Sequence, residues 1–500
     1  MTESAADYDV AVVGAGPTGL ALANLLAAQD VRVVLIDPNK IVCQHPRASH
    51  LDDETMRTFQ QFGLSEAQQG YLVMDGYQIM NQDGKLLFSW EISDGETDQA
   101  WLSDYMFFQP DFEAALRGRL ATSKNVDLLL GWDLVDLADD GTAVTLDVRQ
   151  RRSDAEKSVT AAFVVGCDGA NSFVRQRLAP DLVDFDGDER SLIIDVVKFK
   201  PAAGLSETIG TIVSGTRPFT HMPIVAPMSR FEFMLLADED RETYEDPAMV
   251  YSLLEPWMEP GSYRITRSDV YLWHACVAAK WRVGRVLLAG DAAHQMPPML
   301  GQGMCSGIRD AANLAWKLAL VLRGTAGDGL LDSYEPERAP HVREMVVEST
   351  RLAKNIAALG QGQAPPKEAD GEVADKAHPP IEPAIGGDAD LPMAGQLAPQ
   401  PRLRDGRRLD DAVGFVFTLL APGEVLGGVD ESTRQRWKRM GVVPVRVEDL
   451  EPSDWLDTHQ VTGILVRPDR YVFAGFRSAE ELETVTRHLS VSVFEEEIQQ

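Results

Sequence analysis

A chain of 500 residues with 44% hydrophobic side chains can bury a large interior and is long enough for two or three domains. Its formal net charge of −30 repels nucleic-acid phosphates and anionic lipid alike, so neither nucleic acid nor a membrane surface is an expected partner. No apolar run reaches the roughly 18 residues of a membrane span, no secretion signal is expected from the N-terminus, and the scattered Cys43, Cys167, Cys276 and Cys305 read as free thiols of a cytoplasmic protein.

Residues 9–13 form a short Val-rich apolar run, the pattern of a buried parallel strand. Gly14, Gly16 and Gly19 follow, with Pro17 and Thr18 between them and a helix expected over 21–28. The first glycine allows a tight turn, the second lets the backbone approach a phosphate, and the third lets helix pack on strand. A second strand over 31–36 ends in Asp37, where an acid can accept hydrogen bonds from ribose hydroxyls. The order strand, turn, helix, strand, acid predicts a dinucleotide site with its diphosphate at the helix N-terminus. It suits NAD or FAD equally.

Further along, Asp52 or Asp53 caps a helix carrying Met56, Phe59 and Phe62, with Gly63 closing it. His45, His50, Asp52, Asp53 and Glu54 superficially resemble metal ligands, but no tetrahedral spacing appears, so no metal is expected. Strands are expected over 126–130, 143–148, 191–198 and 231–236, and over 269–277, which alternates in places and can cross between domains. Ile308, Ala311, Ala312, Ala315 and Leu318 have helical spacing over 304–318, directly after Gly301 and Gly303. Residues 360–395 are rich in Pro, Gly, Ala and acid and read as a mobile linker or long wrapping loop. Residues 396–500 read as a separate α/β unit, with strands over 415–420, 443–447 and 462–472 and helices over 431–440 and 479–488.

Five motifs, in order, carry a family resemblance: Gly14 to Gly19; Pro46-Arg47-Ala48 running on to Gly63; Phe108-Gln109-Pro110; Gly166-Cys167-Asp168-Gly169; and Gly290-Asp291 running through Pro298 and Gly301 to Lys317. Together they resemble the FAD-dependent aromatic hydroxylases, single-component flavoprotein monooxygenases, in the hydroxyphenylpropionate hydroxylase-like branch. The resemblance implies an α/β fold: a Rossmann-like FAD-binding domain (1–70, 105–185 and 281–359) interrupted by a strand-rich substrate domain (71–104 and 186–280). A linker (360–395) and a thioredoxin-like C-terminal domain (396–500) complete it. Cys305 is the last cysteine, so that domain has no dithiol, and support or a homodimer contact is its expected use.

The resemblance also implies roles. Arg47, with Ala48, would reach the diphosphate or adenine side of FAD, Gln109 would bond near the ribityl and diphosphate region, and Asp291 would accept from a ribityl hydroxyl. Pro298 and the backbone of Gly301, Gly303, Met304 and Cys305 would line the flavin ring. Asp168 would act through turn geometry and contacts to the Arg47 region. Many relatives have Asn where this chain has Cys305. His294 reads as architectural, beside Asp291. His221, Tyr271, Trp273 and His274, with Pro298, are the pocket candidates; no residue is assigned as the proton acceptor.

The implied activity is hydroxylation of a small phenolic or related aromatic substrate by dioxygen, through a flavin C4a-hydroperoxide, with NADPH or NADH as transient electron donor. A same-fold oxidase or dehydrogenase, an epoxidase or Baeyer–Villiger monooxygenase, and a non-enzymatic flavin-binding partner are the alternatives.

Overall fold

The computed structural model describes residues 6–63, 70–201, 205, 207–213, 217–236, 239–360, 379–385, 391–451 and 455–494. Its central layer is a sheet whose core strands run parallel: Val286–Leu288, Glu156–Gly166, Tyr8–Val13, Val33–Asp37 and Val126–Leu130, in that spatial order. Strands Trp132–Asp139 and Val144–Gln150 extend Glu156–Gly166 as an antiparallel meander. The inner strands are almost wholly buried, as a parallel sheet covered on both faces requires. Helices Pro17–Ala28 and Gln302–Leu322 lie against one another in this core and present buried alanines and glycines, which let them approach closely.

A second, seven-stranded sheet takes strands from two separate stretches. Its order is Tyr263–Trp273, Glu189–Lys198, Met228–Met234, Phe219–Pro223, Ile209–Val213, Gly76–Asn81 and Leu86–Glu91. One face packs Leu192, Ile194, Val196, Ile212, Phe219, Phe231 and Phe233 against Tyr244, Val250, Leu254 and Met258. The other face is polar and turns toward the nucleotide-binding layer: Arg230 of this sheet donates to the Arg47 carbonyl at 3.0 Å. The expected strand over 269–277 is divided. Tyr263–Trp273 belongs to the seven-stranded sheet, whereas Cys276–Ala278 pairs with Leu182–Asp184 and His294–Gln295 in a separate small sheet.

The C-terminal unit has a four-stranded sheet in the order Val443–Arg446, Thr418–Ala421, Gly463–Val466, Val472–Phe476. The single strand expected over 462–472 is instead an antiparallel hairpin. Pro468 has no N–H for a ladder, and Arg470 takes a left-handed φ of 72° to turn the chain. Parts of 360–395 also differ from a mobile linker. Ile381 and Ile385 are buried, Ile381 N donates to Gly395 O at 2.9 Å, and Gly395 N donates to Val472 O at 2.9 Å. Polar composition concealed these two apolar anchors; residues 361–378 and 386–390 lie outside the described residues. Among the described residues, no helix is long and apolar enough to cross a membrane.

Candidate active site

The first loop is built by what its glycines lack. Gly14 has φ +105°, and a Cβ there would run into the Cys167 carbonyl group and the Asp168 Cα. The loop therefore touches the Cys167–Gly169 turn, and the Cys167 N–H bonds to Val13 O at 2.7 Å. Gly19 is packed just as tightly, against the Gly14 carbonyl, whereas Gly16 faces open space. Gly16 is also the N-cap of Pro17–Ala28 and supplies no side-chain cap, so the first N–H groups of this buried helix face outward without an internal partner. Asp37 braces the same loop: Oδ2 accepts from Ala15 N at 2.7 Å and Oδ1 from Asn39 N at 2.7 Å. A carboxylate has about four acceptor sites, which leaves room for a ribose hydroxyl. Arg117, which the sequence reading missed, bonds Ala15 O at 3.3 Å and keeps a buried Nε without a hydrogen-bond partner.

The second loop meets the first through Thr18. Cβ atoms at Gly290 or Gly307 would collide with the Thr18 side chain, so Thr18 is a packing residue that locks the two helices together. Asp310 ties the turn from inside: it accepts from Gly290 N at 3.0 Å, from His294 Nε2 at 2.7 Å and from Arg338 Nε at 3.0 Å. Burial opposes a charge on Asp310, yet His294, Arg338 and the Gly290 amide hold its carboxyl below the usual range. With its side chain fully enclosed in this cluster, His294 fixes the turn. Asp291 instead is exposed and opens to the cleft, with His294, Arg47 and Arg175 the nearby positive groups. Pro298 starts a short 3₁₀ turn, and Gly301 (φ +66°) begins Gln302–Leu322 with no side-chain cap. The space beside Gly303 is open except for Met296 at 3.8 Å from an added Cβ. Met304 is half-buried against the core, and Cys305 is buried with Sγ 3.9 Å from the His50 and Gly301 carbonyl oxygens.

Gln109 and Asp168 turn out to be organisers. Gln109 Oε1 accepts from Arg47 N at 2.7 Å and Ala48 N at 2.9 Å, and its amide donates to Glu113. It thereby sets the backbone that aims the exposed Arg47 side chain. Asp168 accepts from Ser172 Oγ and Val174 N, capping Phe173–Leu178; the expected contact to the Arg47 region is replaced by this cap.

The residues present fit FAD. Two uncapped helix starts, two open glycines and a guanidinium with one unpartnered nitrogen suit a diphosphate at one end and an electron-rich ring at the other. A family model described as the FAD binding domain matches residues 7–349, and a second, the HcaD C-terminal domain, matches residues 395–492. A probable NADH-specific resorcinol 4-hydroxylase of Rhodococcus jostii (strain RHA1) is 34% identical, over 97% of this chain and 95% of the relative. A 3-(3-hydroxy-phenyl)propionate/3-hydroxycinnamic acid hydroxylase of Mycolicibacterium smegmatis is also 34% identical, over 93% of this chain and 90% of the relative. The chain belongs to the FAD-dependent aromatic hydroxylases. Solved structures agree on the fold of this hydroxylase: the flavin-dependent monooxygenase PieE, in complex with FAD and substrate, has a TM-score of 0.82 at 21% identity, covering 97% of this chain and 99% of that one. Aklavinone-11 hydroxylase, with FAD and aklavinone, has a TM-score of 0.79 at 23% identity, covering 98% and 99%.

In the hydroxylase, the polar face of the seven-stranded sheet and the 298–300 turn enclose a cleft lined by Ser191, Thr211, Thr220, Glu232, Met234 and Met299. Tyr271 pairs across strands with Ser191, and Trp273 with Glu189, which puts both aromatics on the cleft face. His221 is not there. Its partners are Gly210 and Phe231, so the alternation of the strand turns it to the apolar face, 4.9 Å from the Phe231 ring. Burial pulls its pKa down to about 3, with Lys198 adding to the shift. His274 lies past the strand end, 43% exposed, paired with Asp188 at 3.0 Å. The histidine set against the Gly301 carbonyl is His50. Its Nε2 lies 2.7 Å from Asp104 Oδ1 and its Nδ1 3.3 Å from the Gly301 carbonyl. Burial disfavours its charge, but Asp104 and Cys305 outweigh burial and raise its pKa well above the usual value. Only the metal-like spacing of its neighbours marked it in the sequence; Asp104 lies 54 positions away.

Proposed function

We propose that this hydroxylase adds one oxygen atom to a small phenolic ring, with FAD and NADH or NADPH, and that His50 is the side chain that meets the phenol oxygen. The observation that carries this is the His50–Asp104 pair set directly against Gly301, at the start of the helix that would face the flavin ring. Bound FAD supplies electron transfer from the nicotinamide and activation of dioxygen. Both nitrogens of His50 face acceptors, a carboxylate and a carbonyl, so the ring holds a proton at each. A cationic donor beside a phenol favours its phenolate, the more nucleophilic form. The bond to Gly301 O is long at 3.3 Å and can exchange for a phenolate oxygen. Arg47, Arg117 and the Gly16 helix start would hold the diphosphate; Asp37 and Asp291 would take ribose and ribityl hydroxyls.

Relatives named for resorcinol and for hydroxyphenylpropionate support a phenolic ring as the substrate. The finer division also belongs to this reading: a nucleotide-binding domain interrupted by a substrate sheet, and a thioredoxin-like C-terminal unit. Support for the last comes from the order β-α-α-β-α-β-β-α of its four sheet strands and their helices, with one parallel and two antiparallel pairings. The test is a screen of substituted phenols for stimulated NAD(P)H oxidation, with mass analysis of products. Stimulation with one added oxygen is expected. Flavin bleached anaerobically by the phenol alone, without NAD(P)H, would mean an oxidase or dehydrogenase instead.

A further inference from the structure

Hydroxylation through a phenolate releases one proton, and His50 cannot take it. Both of its nitrogens are already protonated, one toward Asp104 and one toward the Gly301 carbonyl. It can steady a phenolate, but another side chain must receive the phenolic proton.

We infer that Glu232 is the catalytic base that takes this proton, with His50 holding the phenolate left behind. The inference rests on the phenol-hydroxylating reading above and deepens it.

Glu232 stands on the strand Met228–Met234 and is the one carboxylate among the described residues that line the cleft, where Met299 also lies. Met299 and Gly301 belong to a single turn, closed by Gly301 N donating to Pro298 O at 2.9 Å. Glu232 is therefore on the Met299 side of this turn and His50 on the Gly301 side. A phenol oxygen over the turn has a cation to one side and a carboxylate to the other, and the proton passes directly or through one water. The O–H bond of the phenol breaks, its electron pair stays on the oxygen, and a new O–H bond forms on the Glu232 carboxylate.

The carboxylate is free to accept. Its side chain is 10% exposed, no described residue hydrogen-bonds it, and Arg230 on the same strand comes only to 3.8 Å. Arg230 and Arg267 are both held by Asp195, at 2.7 and 3.1 Å. Burial pushes the Glu232 carboxyl up, against Arg230 and Arg267 and with Asp195. A raised carboxyl is a stronger base than an exposed one. Glu189, the other acid on this face, pairs across strands with Trp273 and lies in the field of Lys354, outside the cleft lining. An outlet for the proton is also present. Thr220 is the cross-strand partner of Glu232, Thr220 Oγ1 lies 2.7 Å from Thr211 Oγ1, and Tyr77 OH bonds Thr211 Oγ1. Each hydroxyl accepts on one side and donates on the other, so this row can carry the proton away from Glu232.

The test compares wild-type, Glu232→Gln and Glu232→Asp holoenzymes on mono- and dihydric phenols and their ring-fluorinated derivatives, which fall in pKa with little change of size. Glu232→Gln should lower turnover about 10²-fold on the weakest acid. The loss should shrink along the series and vanish for a phenol already ionised at the assay pH, which needs no base. Glu232→Asp should recover part of it. Flavin absorbance, and its perturbation by each phenol, reports whether the variants hold FAD and ligand. A loss of equal size on every phenol, no loss on any, or variants that hold neither FAD nor phenol would give Glu232 a structural role or none; each overturns the inference and leaves phenol hydroxylation intact. If the wild type hydroxylates no member of the series, the phenol-hydroxylating reading fails and takes the inference with it.

Discussion

His50 and His221 carry the same side chain into opposite environments. His50 sits between Asp104 and Gly301, where its positive charge is favoured; His221 sits under Phe231, with Nε2 unpartnered, where charge is excluded. His50→Asn should lower turnover about 10²-fold, the usual scale for a positioned acid–base group, while FAD affinity changes less than about threefold. Because His50 stays protonated, steady-state kinetics of the wild type should show no inflection in the ordinary histidine range, and Asp104→Asn should bring one into view. His221→Phe should raise the melting temperature and leave kcat/KM unchanged, since it removes an unpartnered buried polar atom worth about 1–3 kcal/mol. The pH sign follows: His221 is depressed in the folded state, so its contribution is present above the ordinary histidine value and lost as pH falls toward about 3. Acid unfolding midpoints of wild type and His221→Phe check that. Sequence exposed the glycines because a missing Cβ has one physical reading at a tight turn, as Gly14 and Gly19 confirm. It did not expose which face a strand histidine occupies, because that depends on register with strands elsewhere in the chain.

At the scale of elements, the helix Gln302–Leu322 does two jobs. Its N-terminus starts at the Gly301 turn, and its buried side is clamped to the C-terminal unit by charge. Lys317 and Asn313 bond Glu337, Arg467 of the C-terminal hairpin forks onto the same Glu337 at 2.8 Å, and Asp469 accepts from Asn313 and Trp316. Burial opposes the charge of Glu337, but Arg467 and Lys317 hold its carboxyl down to about 2. Nearer the Gly301 turn, Arg309 pairs with Asp52 and Glu54, and Tyr471 donates to Glu54 at 3.0 Å. Arg467→Ala would leave Glu337 buried with less compensation, a loss of about 3–5 kcal/mol; urea unfolding should show it, with the C-terminal unit loosening first. An unchanged midpoint would contradict the clamp. Periodicity placed this helix correctly because its apolar stripe is long. The hairpin around Pro468 read as one strand because both arms are apolar and the turn residues Arg467, Asp469 and Arg470 are buried for the clamp.

Over the whole molecule, the chain leaves the central parallel sheet for a second sheet and returns. Tyr8–Val13 lies beside Glu156–Gly166, which lies beside Val286–Leu288, although some 280 residues separate the first from the last. The dipeptides at the strand ends carry the glycines, and glycines at strand–helix turns are visible in a sequence. The polar face of the second sheet was less visible, because Thr211, Glu232 and Asp195 occupy strand positions that look merely polar until the two sheets are seen facing one another. The central claim is that two distant loops hold the two ends of one FAD. The most direct test is equilibrium binding of FAD, FMN and ADP to the apoprotein. Engagement of both loops predicts FAD binding at least about 10²-fold tighter than either half molecule; FMN binding as tightly as FAD would contradict it, since the Gly14–Gly19 loop would then contribute nothing.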